Sequence, residues 1–423
     1  MNRLATIEHT YQIAKELYAE NGVDTDAALD KLNRIAISLH CWQTDDVVGL
    51  ESPEAQLTGG GIQVTGNYPG KARNIDEIRM DLKKVVSLLP GTFRLNLHAI
   101  YGEFGGKRVD RDAVVPEHFQ GWIDWARQND FKLDFNASCF SHPKSNDGFT
   151  LSSKNDAYRR FWIEHVKHCR EISAVMGRQQ NSPCVHNLWI PDGSKDNTVD
   201  RWTHRSLLKE SLDDIFETRY MPTEMKDSLE SKLFGIGSES FVVGSFDFYL
   251  GYAMSRGHMM CLDMGHFHPT ESIGDKISSI MQFSDEMLFH VSRGVRWDSD
   301  HVPTLSDELR CVAEEIVRAD VLHRVNFATD FFDGSINRIG AYVTGVRSLL
   351  KALLIALLEP RAALLTAENN QNHFVRLALL EEAKALPFGA VWDFYCLKKD
   401  VAPGNTWIND VLQYENEVLS KRS

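Results

Sequence analysis

Two short segments of the sequence carry side chains of the types that bind divalent cations. The segment 263–268 places Asp263, His266 and His268 within six residues of one another. The segment 298–301 contains Asp298 and Asp300, which point to the same side of an extended chain because side chains alternate along it. Carboxylates with imidazoles suit Mn²⁺, Mg²⁺ or Co²⁺, and neither segment contains a cysteine, which argues against a structural zinc site. These residues indicate Lewis-acid chemistry driven by a divalent cation.

Further residues of these types lie at or near the ends of candidate strands along the whole chain. Any one histidine of this kind is more often a hydrogen-bonded core residue, and Asp298-Ser-Asp300 alone could form a solvated turn. Their repetition at strand ends favours a shared site. The candidate carboxylates and histidines number about seven, enough for two metal ions rather than one. The residues at or near strand ends are His40, His98, Asn136, His186, Glu230, Asp263, His290 and Asp330.

Sequence patterns that indicate other kinds of catalysis are missing. The sequence has no GxSxG motif and no cysteine in a recognisable catalytic signature. The stretch Gly59–Gly66 contains glycines without the spacing of a dinucleotide fingerprint or a P-loop. We interpret this stretch as a loop over the active-site mouth, with a purely structural hairpin as the alternative.

The elements that would position these residues alternate between short β-type runs and longer amphipathic stretches. Helical periodicity is found at 75–89, 120–128, 158–175, 207–219 and 305–319. Eight strands in βα alternation predict a parallel (β/α)₈ TIM barrel, in which all strands end at one face and form the active site there. An open doubly wound sheet is the competing fold, but it usually carries a glycine-rich turn after its first strand. The candidate strands are Ile35–His40, Phe93–His98, Phe131–Asn136, Cys184–Trp189, Leu233–Ile236, Met259–Asp263, Met287–Val291 and Arg324–Asp330.

The chain is predicted to contain a catalytic barrel followed by a helical extension. Residues 1–340 form the barrel with an N-terminal helix, since such barrels need roughly 250 residues before insertions. Residues 341–423 form the extension, with helices at 346–358 and 374–385 and an irregular aromatic tail. We expect the extension to cover the outer wall of the barrel or a neighbouring subunit.

Composition and charge limit the partners and the compartment of the protein. The formal net charge is −13 without a basic block, so nucleic acids and anionic membrane surfaces are poor partners. The N-terminus lacks a signal-peptide core, and the longest apolar runs, such as 349–358, are too short to span a bilayer. The seven cysteines are scattered and form no CxxC motif, which is typical of free thiols in a reducing compartment. We therefore expect a cytoplasmic protein.

Several long motifs closely resemble those of the L-rhamnose isomerase family. They are Ile236–Ser240, Cys261–Pro269, His290–Val302 and Asp330–Arg338, with Asn187–Gly193 and Gly59–Arg73 in addition, and the match extends over nearly the whole chain. This family is related in architecture to xylose isomerase. The resemblance implies interconversion of L-rhamnose and L-rhamnulose by a divalent-metal-mediated 1,2-hydride shift. An enediol route with a carboxylate or histidine base would use similar residues and stays open.

The resemblance also implies roles for individual residues. Lys232 would lie near O1 of the sugar, because Glu230-Ser-Lys232 resembles the Glu-x-Lys pair of xylose isomerases. His98 and Trp189 would contact the substrate together with Lys232. The implied cofactors are two Mn²⁺ ions per subunit, with Co²⁺, Mg²⁺ or Zn²⁺ as alternatives, and the implied assembly is a homotetramer. The first metal would be held by Glu230, Asp263, His290 and Asp330. The second would be held by His266, Asp298 and Asp300, with Asp263 shared between the two. The catalytic residues would be Asp298, Asp300, His266, Lys232 and Asp330.

Two other functions are compatible with parts of this pattern. A barrel metallohydrolase with a two-metal site would use the same ligand types, but such enzymes usually place a His-x-His motif after the first strand. Here the first candidate strand ends in His40-Cys-Trp, and His266-x-His268 comes late in the chain. A non-catalytic sugar-binding protein would require the carboxylate cluster to be incidental.

Overall fold

The strands of the protein are short and alternate with helices from one end of the chain to the other. The structure is a computed structural model that describes residues 3–51, 64–232, 240–295 and 299–422. The barrel strands are β1 (Ala36–His40), β2 (Thr92–His98), β3 (Lys132–Asn136), β4 (Cys184–Leu188), β6 (Met225–Glu230), β8 (Met259–Asp263), β9 (Met287–Val291) and β10 (Val325–Thr329). Two further strands, β5 (Gly193–Ser194) and β7 (Phe241–Val242), form a separate antiparallel pair.

The eight barrel strands form one closed parallel sheet. Their order around the barrel follows the chain, and β10 closes the sheet by pairing with β1. The predicted (β/α)₈ fold is therefore confirmed. The register places Asp263 beside His290 and Glu230 beside Cys261. Polar residues of several strands are thereby brought together at the carboxyl end of the barrel.

The helices cover the outside of the barrel with their apolar faces. Helix α9 shows the pattern: Ser306 caps its first turn by accepting from Leu309 N, at 3.3 Å, and residues at intervals of three and four face the strands. The helices are α1 (Arg3–Glu20), α2 (Thr25–Asn33), α3 (Ile75–Val86), α4 (Gln120–Gln128), α5 (Asp156–Gln180), α6 (Arg201–Ile215), α7 (Phe246–Arg256), α8 (Ile273–Ile280), α9 (Asp307–Arg318), α10 (Arg338–Leu357), α11 (Arg361–Asn369), α12 (His373–Ala383), α13 (Phe388–Lys398) and α14 (Trp407–Glu417).

The fifth barrel strand differs from the sequence prediction. The barrel uses β6, which lies before the predicted Leu233–Ile236 segment, and residues 233–236 lie outside the described residues. Strand β6 was missed because Lys226 and Asp227 gave it a polar appearance. Lys226 donates to Glu286 at 2.6 Å, and Asp227 accepts a bidentate hydrogen-bond pair from Arg170, at 3.0 and 2.9 Å. Ion pairs therefore make a polar sequence compatible with a barrel strand.

The C-terminal part is helical to its end. The predicted irregular tail is wrong, because α13 and α14 occupy it. The predicted boundary at 340/341 lies inside α10, which packs against α9, α2 and α3 of the barrel wall. The division into two parts itself stays a prediction. By length and composition alone, helix α10 could cross a membrane. However, 72% of its most apolar 18-residue stretch is buried inside the molecule, as expected for a core helix.

The ion pair between Arg170 and Asp227 yields a test of what stabilises the barrel wall. Burial raises the pKa of Asp227, but His186 and Arg170 outweigh this effect and lower it to about 2. We expect Asp227→Ala to lower the free energy of unfolding by about 3–5 kcal/mol, because it leaves the buried guanidinium without its anionic partner. Urea denaturation at pH 7 measures the change.

The matched control is Asp124→Ala, which removes an exposed carboxylate that pairs with Arg127 at 3.4 Å. This variant should cost less than about 1 kcal/mol. Equal losses in the two variants would contradict a special contribution of the buried pair.

Candidate metal centre

Four side chains from four neighbouring strands meet at the carboxyl end of the barrel. Glu230 and Asp263 are the last residues of β6 and β8, His290 lies in β9, and Asp330 directly follows β10. One ligand atom of each lies within 4.8 Å of the others. His290 Nδ1 is 3.3 Å from Glu230 Oε2 and 3.2 Å from Asp330 Oδ2. The structure therefore brings together the four residues that the family resemblance implied for the first metal; their role as ligands stays a prediction.

The donor atoms of this cluster fit a cation. Asp263 Oδ2 and both ring nitrogens of His290 are buried without a hydrogen-bond partner among the described residues. His290 Nδ1 lies within ion-pair distance of the carboxylates, yet its geometry satisfies no hydrogen bond. Such convergence of unpartnered lone pairs is typical of a metal site, since buried polar atoms are otherwise hydrogen-bonded. Carboxylate and imidazole donors suit a first-row divalent ion.

Electrostatics in the cluster lead to the same interpretation. Burial raises the pKa of Glu230, but the positive charge of His290 and a hydrogen bond with His266 lower it well below its usual value. Burial raises the pKa of Asp263 to about 7, and Glu230 adds to this shift. Burial lowers the pKa of His290, whereas Cys261 and Glu230 raise it, with a net result well above the usual value. A proton on His290 thus balances the carboxylates, and a bound cation would replace that proton.

Hydrogen bonds fix the carboxylates from outside the cluster. Ser292 Oγ and Gly265 N donate to Asp263 Oδ1 at 2.8 and 2.6 Å, which leaves Oδ2 available to a metal. Trp42 Nε1 donates to Asp330 Oδ1 at 3.0 Å. The amide of Asn187 donates to Glu230 Oε2. These supports are typical of the outer shell of metal sites. None of these four donors was predicted to have a role, although Gly265 and Asn187 lie in motifs that resemble those of the family.

A second cluster overlaps the first at Asp263. It contains Asp263, His266 and Asp300, with ligand atoms within 4.8 Å of one another. His266 Nδ1 lies 2.9 Å from the carbonyl oxygen of Ser231 and 3.0 Å from Glu230 Oε1, and these two acceptors fix the orientation of the ring. The remaining predicted ligand, Asp298, lies outside the described residues.

Asp300 is held in an unusual backbone conformation. Its φ is +41°, in the left-handed region that side-chain-bearing residues rarely adopt. Paired backbone hydrogen bonds of 3.1 Å between Arg293 and His301 flank the residue, and Phe332 N donates to its carbonyl oxygen at 3.1 Å. Asp46, Asp130, Asp320 and Asp400 also have positive φ outside the two clusters, so the conformation alone does not mark Asp300 as functional.

The thiol of Cys261 lies next to the first cluster, although the two metal-binding segments of the sequence contain no cysteine. Ligand atoms of Cys261, Glu230 and His290 lie within 4.8 Å of one another. Burial raises the pKa of Cys261 to about 12, so the thiol stays protonated at neutral pH. Only the thiolate is a strong ligand, and a bound cation would displace the thiol proton, so Cys261 is a further candidate ligand beside the four residues of the first cluster.

A cavity of about 430 Å³ opens above the two clusters. The predicted substrate residues His98, Trp189 and Lys232 all line it, as does Asn136. Lys232 Nζ lies 4.4 Å from the ring centre of Trp189, within the range of a cation–π contact. Burial lowers the pKa of His98 to about 3, so the imidazole is neutral and can only exchange hydrogen bonds. The volume is in the range of small-molecule sites.

Three histidines that the sequence placed near the site do not line this cavity. His40 is buried beside it and its Nδ1 lies 2.7 Å from Thr329 Oγ1. His186 points to the helix layer, where its Nδ1 lies 3.1 Å from Asp227 Oδ1. His268 is exposed, and its Nδ1 lies 2.7 Å from Thr270 Oγ1. Strand alternation explains His186, because its neighbour Asn187 occupies the inward position.

Comparison with known proteins identifies relatives over the whole chain. The family model "L-rhamnose isomerase (RhaA)" matches residues 5–422. The chain is 56% identical over 423 residues to L-rhamnose isomerase of Rhodopirellula baltica, covering 100% of this chain and 99% of that protein. It is 55% identical over 422 residues to L-rhamnose isomerase of Bacteroides thetaiotaomicron, covering 100% of both chains. With L-rhamnose isomerase of Klebsiella pneumoniae the identity is 54% over 416 residues, or 98% and 99% of the two chains.

Solved structures support the fold. The chain is similar to a D-allulose 3-epimerase from Methylomonas sp., with a TM-score of 0.50 and 9% identity, over 76% of this chain and 99% of that chain. At 9% identity, this similarity shows a shared fold and nothing about function. The family model and the relatives establish that the chain belongs to the L-rhamnose isomerase family.

Proposed function

We propose that the protein interconverts L-rhamnose and L-rhamnulose. The observation that carries this proposal is the pair of carboxylate–imidazole clusters that share Asp263 beneath a cavity of about 430 Å³. A two-cation centre in a confined, mostly buried site is suited to stabilising negative charge on sugar oxygens. Membership of the L-rhamnose isomerase family supports sugar isomerisation and suggests the substrate.

Two divalent cations, with Mn²⁺ as the first choice and Co²⁺, Mg²⁺ or Zn²⁺ as alternatives, would provide the charge. Bound there, they would polarise the carbonyl and the neighbouring hydroxyl of the open-chain sugar. The first would be held by Glu230, Asp263, His290 and Asp330, and the second by Asp263, His266, Asp298 and Asp300.

The protein side chains would bind and orient the sugar. Lys232, whose Nζ lies 4.4 Å from the ring centre of Trp189, would donate to a sugar oxygen, and neutral His98 would exchange hydrogen bonds with a hydroxyl. Trp189 and Phe140, whose ring centres are 5.9 Å apart, provide apolar surface for the sugar and exclude water.

We favour a hydride shift over an enediol route. In this reaction the hydrogen on C2 moves to C1 with its electron pair, while the hydroxyl proton passes from O2 to O1. Among the described residues that line the cavity, Asp333 is the carboxylate outside both clusters, and hydrogen bonds from Ser335 N and Oγ to its Oδ1 make this oxygen a weaker base. The other described carboxylates belong to the clusters, where a cation would keep them from acting as bases.

Isotope labelling and metal removal together test the activity and the route. The protein stripped with EDTA should lose turnover of L-rhamnose by about a hundredfold or more, and Mn²⁺ should restore it. With L-rhamnose deuterated at C2, the ketose should keep the label at C1, because a hydride shift does not exchange with water. Mass spectrometry and NMR measure the product and its label.

The outcomes separate the alternatives. Loss of the label to water would favour the enediol route. Metal-dependent hydrolysis of an ester or phosphoester, without ketose formation from any aldose, would support a barrel metallohydrolase and refute the isomerase.

Metal stoichiometry tests the assignment of ligands. The protein should bind two Mn²⁺ per chain. Asp300→Asn should reduce this to one, whereas Asp263→Asn should weaken both sites because Asp263 belongs to both clusters. The matched control is Asp333→Asn, which changes a cavity carboxylate outside the clusters and should keep both ions. Isothermal titration calorimetry of the stripped protein measures the count; two ions in Asp300→Asn would contradict the assignment.

The assembly is the remaining part of the proposal, and helix α12 supports a homo-oligomer. Within the described chain, none of the residues of α12 is buried. Yet Phe374 is 78% and Leu377 59% exposed, an arrangement that is costly in water unless another surface covers it. A second copy of this chain is the partner we propose, and the family resemblance favours a tetramer.

Charge insertion on α12 tests this interface. Phe374→Glu with Leu377→Glu should yield a smaller species in size-exclusion chromatography with light scattering, because two carboxylates would be buried in the contact. The control is Met221→Glu, since Met221 is 63% exposed and lies far from α12 in sequence. An unchanged mass in both variants would exclude α12 from the interface.

A further inference from the structure

A second cavity enters the barrel from the opposite end. Its volume is about 570 Å³, larger than that of the cavity above the metal centre. We call it the lower cavity and the cavity above the metal centre the upper cavity. The described residues on the inward face of the barrel that line the lower cavity include Ser38, Arg94, Asn96, Asp134, Lys226 and Ala328.

The same strand faces line both cavities. On β2, Arg94 and Asn96 line the lower cavity and His98 lines the upper one. On β6, Lys226 lines the lower cavity and Glu230 the upper one. Side chains two positions apart lie on one face of a strand, so both cavities lie along the axis of the barrel.

The wall between the two cavities is one side chain thick. Asn187 lines both cavities, and its amide donates to Glu230 of the first metal cluster. Beside it, Asn136 of the upper cavity donates to Asn96 Oδ1 of the lower cavity at 2.6 Å. Polar side chains thus continue from the metal centre through the floor into the lower cavity.

Two buried polar atoms in this wall lack partners among the described residues. They are Asn187 Oδ1 and Ser228 Oγ, and their residues are 3% and 0% exposed. Ser228 lies between Lys226 and Glu230 on the inward face of β6. Buried amide and hydroxyl groups in such positions normally bind ordered water, which makes about three hydrogen bonds to polar neighbours.

The charges on the inward strand face of the lower cavity favour water over an anionic ligand, whereas Lys31, Arg34 and Asp320 lie at its exposed outer end. Arg94 donates to Asp134 at 2.7 Å, and Lys226 donates to Glu286 at 2.6 Å. These cations of the inward strand face are therefore already neutralised. Uncharged hydrogen-bonding groups, mainly Asn96, Asn187 and Ser38, are what remains along the axis.

We propose that the lower cavity holds a file of water molecules that reaches the metal centre at Asn187. This file serves as a second route for solvent when a sugar fills the upper cavity, and water crosses the floor when the Asn187 side chain turns away from Glu230. The route matters because sugar binding must displace water from a site whose mouth the sugar itself covers. The role during sugar binding depends on the proposed function, whereas the water file does not.

Crystal structures at high resolution test the file itself. In the protein without sugar, ordered waters should lie within hydrogen-bond distance of Asn187 Oδ1 and Ser228 Oγ and continue toward Lys226. The same waters should persist in crystals soaked with L-rhamnose. A dry lower cavity, or one filled by a buffer molecule, would overturn the proposal.

A filled lower cavity tests the route. Ala328 is 1% exposed and lines the lower cavity, so Ala328→Val narrows the file with a residue that suits a strand. Binding of L-rhamnose should be followed by stopped-flow fluorescence, since Trp42 and Trp189 line the upper cavity. We expect association and dissociation to slow several-fold by the same factor, with Kd unchanged, because the variant changes the path and not the bound state.

The control is Ala313→Val, which adds the same volume in α9 away from both cavities. The solvent route would be overturned if Ala328→Val bound L-rhamnose at wild-type rates while its crystal structure lacked the waters of the lower cavity. If Ala328→Val does not fold, Ala36→Phe replaces it, because Ala36 is half-buried at the outer end of the lower cavity. The same binding rates and crystallographic waters are then measured for Ala36→Phe. A failure of L-rhamnose to bind at all would contradict the proposed function and leave the water file to be judged from crystals without sugar.

Discussion

The convergence of three carboxylates at one end of the barrel is the constraint on which the rest of the structure depends. Glu230, Asp263 and Asp330 approach one another around His290, and the first two are buried while Asp330 is half-buried at the cavity. Like charges at such distances repel and burial adds to the cost, so the arrangement is stable only with compensating positive charge. A proton on His290 provides part of it, and divalent cations would provide more. The barrel supplies the rigidity, because each acid is at or directly after the end of a different strand.

The same constraint shapes the interior of the barrel below the site. Barrel interiors are usually filled by branched apolar side chains, and one part of this interior follows that rule with Val185, Met259, Leu288 and Ala328. The opposite part carries Asn96 and other polar residues that hold the ligands or their supports. The large apolar core lies instead between the strands and the helices, where buried ion pairs such as that of Asp227 also fix the strands.

The sequence was sufficient to predict the barrel, seven of its strands and the residues of the first cluster, because strand ends, alternation and long motifs are local patterns. Strand β6 was not predicted, since its Lys226 and Asp227 are compatible with a strand only through partners distant in sequence, Glu286 and Arg170. The direction of His186 was missed for a similar reason: a shift of one residue along a strand exchanges the inward and outward faces. The helical extension was predicted, but its last two helices were taken for an irregular tail, because α13 is apolar on nearly all sides and shows little periodicity.

The two clusters differ in how far they are formed before a cation binds. The first is built from strand ends whose hydrogen bonds belong to the barrel, and its supporting contacts from Trp42 and Ser292 are in place. The second depends on Asp300, whose left-handed backbone costs about 1–3 kcal/mol and is held by loop contacts. Because Asp263 belongs to both clusters, a cation in the first would fix this carboxylate and reduce the ordering that remains for the second. The geometry of the loop at Asp300 should therefore depend most strongly on whether a cation occupies the first cluster.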